Sequence, residues 1–247
     1  MDVFWAAPPV ARTLTALTFV ESVLVYGGFL GGWRVVFLPE RIFHLPPDFW
    51  RFVTPFLLTG RQMAFIFDLY FMYTYASGLE TKSPRFARTG DFLTYIVFVC
   101  VVIMFLANFF LGGMIFTSAL IMALVHTWAQ DNRGRQVTFY VIQIKAELLP
   151  AVMLLVTMVS SGWGATMLEG TGLVASHLYD FLTRIWPLFG GGRNYIFTPA
   201  FVHRLLGDSN TNVHGFSGTY GTSPGSTAGS SSSSNSWSRR GAGRRLG

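Results

Sequence analysis

Residues 92–111 read FLTYIVFVCVVIMFLANFFL, twenty consecutive residues in which Asn108 is the one polar amide. A helix of about 20 apolar residues crosses the roughly 30 Å hydrocarbon core of a bilayer. This stretch therefore predicts a transmembrane helix. The whole chain of 247 residues has the same character, with 51% hydrophobic and 12% charged residues, whereas soluble domains carry about 25% charged residues. The composition excludes disorder over most of the chain and argues against a cytosolic enzyme.

Five further apolar runs flank this stretch, and most of them are shorter or carry charges. The six predicted spans are 14–30, 62–76, 92–111, 114–128, 137–159 and 172–189. They predict an all-α membrane protein with a six-helix membrane domain over 1–207. Six spans place both termini on one side of the membrane. Because the loops 79–91 and 129–136 and the C-terminal side are basic, the positive-inside rule predicts that this side is the cytosol.

The segment 31–61 is too long and too aromatic for a simple turn. Its aromatic residues include Trp33, Phe37, Phe43, Phe49, Trp50 and Phe56, and four prolines interrupt it. Prolines prevent one continuous helix, while aromatic rings and arginines suit the boundary between lipid and water. We therefore expect short amphipathic helices on the non-cytosolic side of the membrane. The other long polar segment, 208–247, holds 11 Ser and 8 Gly and is predicted to be a disordered cytosolic tail.

Charged residues inside the predicted spans are expected to face the bundle or water, because a charge at mid-bilayer is costly. His177 and Asp180 are three residues apart, and Arg184 follows Asp180 by four, so one helix face can carry all three as a structural ladder. Lys145 has two interpretations. It pairs with Asp68 of the second span, or it extends to the cytosolic interface.

The sequence gives no indication of a disulfide, a metal, a cofactor or bound nucleic acid. The chain has a single cysteine, Cys100, which excludes an intrachain disulfide and a cysteine-based zinc site, and no residue pattern indicates a cofactor or metal. The net charge of +6 lies mostly in loops and in the tail. This distribution is not the continuous basic stripe of a nucleic-acid-binding protein.

Several short motifs follow one another in a specific order along the chain. They are Leu38-Pro39-Glu40, Phe49-Trp50-Arg51 with Thr54, Tyr73, Tyr75, Ser77, Leu79-Glu80-Thr81, Trp128-Ala129-Gln130, Asn132-Arg133, Lys145-Ala146, Pro150, His177-Leu178-Tyr179, Gly191-Gly192-Arg193-Asn194 and Thr198-Pro199. In this order and spacing the chain resembles the Derlin family, the rhomboid-like pseudoproteases of endoplasmic-reticulum-associated degradation. The resemblance implies a rhomboid-like bundle whose 31–61 loop is luminal.

The resemblance also implies roles for particular residues. Trp50 and Arg51 fit the tryptophan-arginine motif of the luminal loop; Trp33-Arg34 is a second such pair that we interpret as a chance match. Arg51 would bind lipid headgroups or backbone carbonyls. Gly172 and Ser176 fit a small-xxx-small helix-packing motif, with serine in place of its second glycine.

The tail carries a degenerate form of the box by which some Derlins bind the valosin-containing AAA ATPase. The matching residues are Gly241, Gly243 and Leu246, but the aromatic residue that normally precedes the first glycine is displaced to Trp237. The alternative is a basic tail that binds anionic cytosolic lipid.

The resemblance implies a non-catalytic factor of the endoplasmic reticulum membrane that helps misfolded proteins to reach the cytosol. Substrates would enter laterally between the second and fifth spans, aided by local distortion of the bilayer. Implied partners are a Hrd-type ubiquitin ligase and the ATPase, and a homo- or hetero-oligomer with other Derlins is left open. The first alternative is an active rhomboid protease using Ser118 and His177, although Ser118 lacks the flanking glycines of the protease motif. The second is a transporter or channel, for which we find no internal repeat.

Overall fold

The computed structural model describes residues 7–42, 48–139 and 142–189, with Ile196 and Val202. Within these residues six helices have 13 or more residues, and each corresponds to one predicted span. They are α1 (Pro9–Tyr26), α2 (Met63–Lys82), α3 (Thr89–Leu111), α4 (Thr117–Asp131), α5 (Leu149–Ser161) and α6 (Trp163–Asp180). A π-helical turn, Phe181–Ile185, and a short helix, Trp186–Phe189, continue α6.

Helix α3 shows how the bundle divides its apolar residues between the core and the exterior. One face is buried, at positions three or four residues apart: Phe92, Tyr95, Ile96, Val99, Ile103 and Ala107. The opposite face exposes Val97, Val101, Phe105 and Phe109, each four residues from the next. An apolar exposed stripe of this kind is suited to contact with lipid.

By length and composition, α3 is the one described helix that is apolar enough to cross a membrane, and Ala146–Ser161 is a shorter apolar helix. The six-span topology therefore stays a prediction. The remaining long helices carry polar side chains, and several of these point into the bundle.

Helix α4 lies at the centre of the fold. Its side chains are buried from Ala119 to Thr127 without interruption, and it packs against α2, α5 and α6. Its 15 residues extend only about 22 Å. Because other parts of the protein surround α4, this helix does not need to equal the thickness of the lipid hydrocarbon.

The predicted fifth span is wrong in its first half. Residues Gln136–Phe139 form strand β1 and Ile142–Lys145 form strand β2, paired antiparallel with Val137 opposite Ile144. The strand segments alternate apolar with polar residues, a period-two pattern that favours strands over helix. A 3₁₀ turn, Ala146–Leu148, then leads into α5. The prediction of an all-α chain is corrected accordingly, since the mostly helical fold contains one two-stranded ribbon.

The predicted boundaries of two other spans are also corrected. Helix α6 begins at Trp163, nine residues before the predicted start. The prediction began too late because Gly164, Glu169 and Gly170 lower the hydropathy of the first turns. Helix α2 extends to Lys82 rather than to residue 76. Gly162 makes the turn between α5 and α6 with φ +83°, a conformation that glycine adopts without strain.

The segment between α1 and α2 contains short helical turns, as the sequence predicts. They are Gly32–Val35, Pro39–Ile42, Phe49–Phe52 and Thr54–Phe56. The expectation that its aromatic residues lie at the membrane boundary is contradicted for two of them. Trp33, Phe49 and Trp50 are exposed, whereas Phe37 and Phe56 are buried against Phe116. Phe43 lies outside the described residues.

Candidate functional site

Helices α4 and α6 are in close backbone contact at one glycine. At Gly172 the backbones approach so closely that an added Cβ atom would lie 1.8 Å from the carbonyl oxygen of Ala119. Only glycine fits at such a crossing. Gly172, predicted as half of a packing motif, therefore sets the distance between these two helices.

Ser176, the other half of that motif, faces α4 one turn further along. Its Oγ lies 2.8 Å from Nδ1 of His126 and donates to the carbonyl of Leu173 at 2.9 Å. Nε2 of His126 in turn lies 3.1 Å from the side-chain amide of Gln130. A glycine at 176 would leave the buried imidazole without one of these partners, so the serine links α6 to α4 by a polar contact.

Arg51 fixes the loop that precedes α2. Its side chain is buried, with 5% of its surface exposed, and donates to the carbonyls of Trp33 (2.9 Å) and Val36 (2.7 Å) and to Asp48 (2.8 Å). The sequence predicts lipid headgroups or backbone carbonyls as the partners of Arg51, and of these two the described contacts are with backbone carbonyls.

Trp50 lies on the outside of the same loop. Its indole is 53% exposed, and Nε1 donates to the carbonyl of Arg34 at 3.2 Å. The pair Trp33-Arg34, interpreted above as a chance match, thus supplies backbone acceptors to both residues of the motif. These hydrogen bonds use the backbone carbonyls of the pair and not its side chains.

The loop is also tied to the start of α4. The amide of Phe116 donates to the carbonyl of Pro55 at 2.8 Å, and Thr117 Oγ1 donates to the carbonyl of Leu58 at 2.6 Å. On the other side, the Oγ atom of Ser22 in α1 accepts hydrogen bonds from the backbone amide (3.1 Å) and the hydroxyl (3.0 Å) of Thr59. The loop is therefore packed into the bundle rather than lying free on it.

A partly open cavity of about 530 Å³ lies beside this loop, at the end of the bundle where α2, α4 and α6 begin. Helices α2 and α5 each pack on α4 or α6 but hardly on one another, and the cavity occupies the space between them. Its polar lining residues include Asp68, Ser118, Thr157, Ser160 and Glu169.

The predicted pair between Asp68 and Lys145 is not formed. Asp68 Oδ2 accepts from the backbone amide of Gly60 at 2.9 Å. Lys145 is exposed on strand β2, which follows the opposite end of α4. The predicted pair requires Lys145 on a helix within the bundle, whereas the lysine lies exposed on strand β2. The alternative of a lysine at the cytosolic interface stays a prediction.

The opposite end of the bundle is held by a buried ion cluster. Arg85, in the loop between α2 and α3, pairs with Asp131 at the end of α4 and with Asp180 at the end of α6. Ser83 Oγ donates to Asp131 at 2.5 Å. Asp180 of the predicted ladder forms its ion pair with Arg85 from another element, while Arg184 and His177 of the ladder also act on it electrostatically.

The structure does not bring Ser118 and His177 together. The ring of His177 packs against that of His126, with 4.1 Å between centroids. His126 lies eight residues beyond Ser118 on α4, a rise of about 12 Å. Ser118 faces the cavity at the other end of the helix.

Several residues of these sites were missed from the sequence. Arg85 and Asp131 lie in predicted loops, and Glu169 precedes the predicted sixth span, so none was weighed as an intramembrane charge. His126 was visible as an imidazole in an apolar run. Glu80, which belongs to the Leu79-Glu80-Thr81 motif, accepts the first amides of α1 at its carboxylate, from Val10 (3.1 Å) and Ala11 (2.8 Å). The predicted tail residues Gly241, Gly243 and Leu246 lie outside the described residues.

The exposed apolar stripe, the central helix packed through small residues and the polar cavity inside the bundle are consistent with a mostly helical membrane protein. Comparison with known proteins identifies which kind. The Der1-like family matches residues 7–200, so the chain belongs to that family, and the predicted membership of the Derlins is confirmed.

Individual relatives agree over most of the chain. Derlin-1 of Homo sapiens is 30% identical over 222 residues, which cover 87% of this chain and 86% of that protein. Derlin-1.2 of Zea mays is 28% identical over 213 residues, covering 83% and 84%. Derlin-1 of Arabidopsis thaliana is 30% identical over 207 residues, covering 81% and 74%.

Proposed function

We propose that this chain is a non-catalytic factor of endoplasmic-reticulum-associated degradation, which helps misfolded proteins to leave the endoplasmic reticulum for the cytosol. The proposal rests on family membership together with one structural observation, the cavity between α2 and α5. A polypeptide segment would enter the bundle laterally between these two helices. The hydroxyl and carboxyl groups that line the cavity would lower the cost of bringing polar backbone out of water.

The length of α5 supports a second part of the mechanism, local distortion of the bilayer. The helix has 13 residues, about 20 Å in length, and its exposed face carries Leu155, Val156 and Val159. A short apolar surface in contact with lipid thins the bilayer beside it. The thinned region would lie on the same side of the cavity as the proposed entrance.

The proposal extends to the location of the chain and to its partners. The chain would lie in the endoplasmic reticulum membrane with both termini in the cytosol and the 31–61 loop in the lumen. A Hrd-type ubiquitin ligase would receive the emerging segment, and a valosin-containing AAA ATPase would pull it from the cytosolic side. Self-association or association with other Derlins would enlarge the path.

Docking of the ATPase is proposed for the tail. A peptide of residues 208–247 is expected to bind the ATPase, and Leu246→Ala to weaken binding by tenfold or more, because burying a leucine contributes about 1.5–3 kcal/mol. Fluorescence anisotropy of the labelled peptide measures the affinity. Ser238→Ala is the matched control and should bind as wild type. Undiminished binding of the Leu246→Ala peptide would contradict the docking; retained binding to anionic vesicles in its place would favour the lipid alternative.

The degradation role is tested by the chase of a misfolded reporter in Derlin-deficient cells that express this chain. Wild type and Ser118→Ala are expected to restore degradation, because no acyl transfer is involved. Arg51→Ala is expected to lose most of it, because two loop carbonyls and Asp48 lose their donor. Arg34→Ala is the control, since this arginine of the same loop is exposed.

Two outcomes of the chase would count against the proposal. Loss of degradation with Ser118→Ala at normal protein level would favour the protease. Failure of the wild-type chain to restore degradation, when it is expressed and inserted, would remove the proposed role.

A further inference from the structure

We propose that the cavity between α2 and α5 binds a lysine or arginine side chain of the entering polypeptide, with Glu169 and Asp68 as the counter-charges. The inference rests on the proposed function, because it specifies which segments the lateral entrance favours. It predicts that clients with a basic residue within an otherwise apolar segment are captured preferentially.

The first acidic group of the cavity is the buried carboxyl of Glu169. The residue is 3% exposed and lines the cavity from α6. Its Oε2 atom has no hydrogen-bond partner among the described residues, and Thr157 is the neighbouring hydroxyl. A buried carboxyl oxygen without a partner costs free energy, because the group has lost its hydrogen bonds to water. A donor that enters the cavity and contacts Oε2 would recover this free energy.

Asp68 adds a second acidic group from the facing helix. One of its oxygens is held by the amide of Gly60 at 2.9 Å, which fixes the carboxyl group at the cavity wall. It lies near enough to act electrostatically on Glu169. Among the described residues that line the cavity, none is lysine or arginine. Two acidic groups without a basic neighbour, in a site of low dielectric, favour a cation strongly.

The rest of the lining indicates which cation fits. The cavity, at about 530 Å³, is far larger than a single ion, and within the described part of the chain no group of three or more acidic, histidine or cysteine residues could hold a metal. Phe67, Phe71 and Leu168 supply apolar wall. An aliphatic stem that ends in a charge matches both parts, because such side chains bury the stem and place the charge at a polar site.

The test uses the full chain in microsomes with a photo-crosslinking amino acid at Ser161, on the cavity lining. Three single-span clients differ at one central position, which is lysine, leucine or glutamate. The lysine client is expected to crosslink about tenfold more than the leucine client, the ratio that a charge-assisted contact of about 1.5 kcal/mol gives. The glutamate client is expected to fall below the leucine client.

Variants of the cavity locate the effect. Glu169→Gln is expected to remove most of the lysine preference, and Asp68→Asn to reduce it. Glu21→Gln is the matched control. Glu21 also has a buried carboxyl oxygen without a partner among the described residues, but it does not line the cavity, so its replacement should leave the preference unchanged.

Two results would overturn different statements. Equal crosslinking of the lysine and leucine clients to the wild-type chain would overturn the cation site while leaving lateral entrance intact. Absence of crosslinking by all three clients would overturn the lateral entrance itself, and with it the proposed function. The comparison of clients needs no substitution at Glu169 or Asp68, so it holds even if Glu169→Gln fails to fold.

Discussion

Replacing Gly172 by alanine is expected to destabilise the bundle more than any other single methyl addition in α6. The new Cβ would meet the backbone of Ala119, at 1.8 Å from its oxygen and 2.7 Å from its carbonyl carbon. A backbone atom cannot rotate away as a flexible side chain can, so α4 and α6 must separate. Because α4 is buried on all sides, the separation would spread through the core. We expect a cost of about 3 kcal/mol, the upper range for overpacking.

The measurement is thermal unfolding of the detergent-solubilised full chain, followed by loss of its monodisperse peak in size-exclusion chromatography. The matched control is Gly170→Ala, two residues earlier in the same helix, where an added Cβ meets nothing within 4 Å. That variant should be unchanged or slightly stabilised, since alanine is the better helix former. Equal melting temperatures for both variants would contradict the close contact at Gly172.

The contact at Gly172 involves residues that the sequence singles out by a local pattern. Gly172 and Ser176 are recognisable as small residues four apart, and the packing rule for such pairs depends only on side-chain size. Helix α3 is likewise predicted from its own segment, because the length and composition of the apolar run suffice to indicate a long apolar helix. In both cases the decisive property is local to the segment.

The failures share a different cause. Residues 137–145 were assigned to a helix because they are apolar, although their alternation is that of a strand. Glu169 and Arg85 were overlooked because hydropathy places a charged residue outside the membrane unless a long apolar run surrounds it. The partners of Arg85 lie on other elements, and no local pattern reports a contact between residues 85 and 180. Sites assembled from several helix ends therefore have to be read from the structure.

Replacing Arg85 by methionine is expected to have the second of the two largest effects. Arg85 is the common partner of Asp131 and Asp180, and the side chains of all three are largely buried. Removing the guanidinium would leave two like charges close together without compensation. Breaking a buried ion pair on one side costs about 3–5 kcal/mol. Because Arg85 joins the loop after α2 to the ends of α4 and α6, this end of the bundle should open first.

Rescue distinguishes this electrostatic cause from a loss of packing. Adding Asp131→Asn and Asp180→Asn to Arg85→Met removes the uncompensated charges and should recover most of the lost stability, as measured by the same unfolding assay. Lys82→Met, which removes an exposed cation from the neighbouring end of α2, is the control and should change little, since exposed charges contribute up to about 1 kcal/mol. If the triple variant is no more stable than Arg85→Met, the guanidinium acts through its packing, and the cluster is not held by charge.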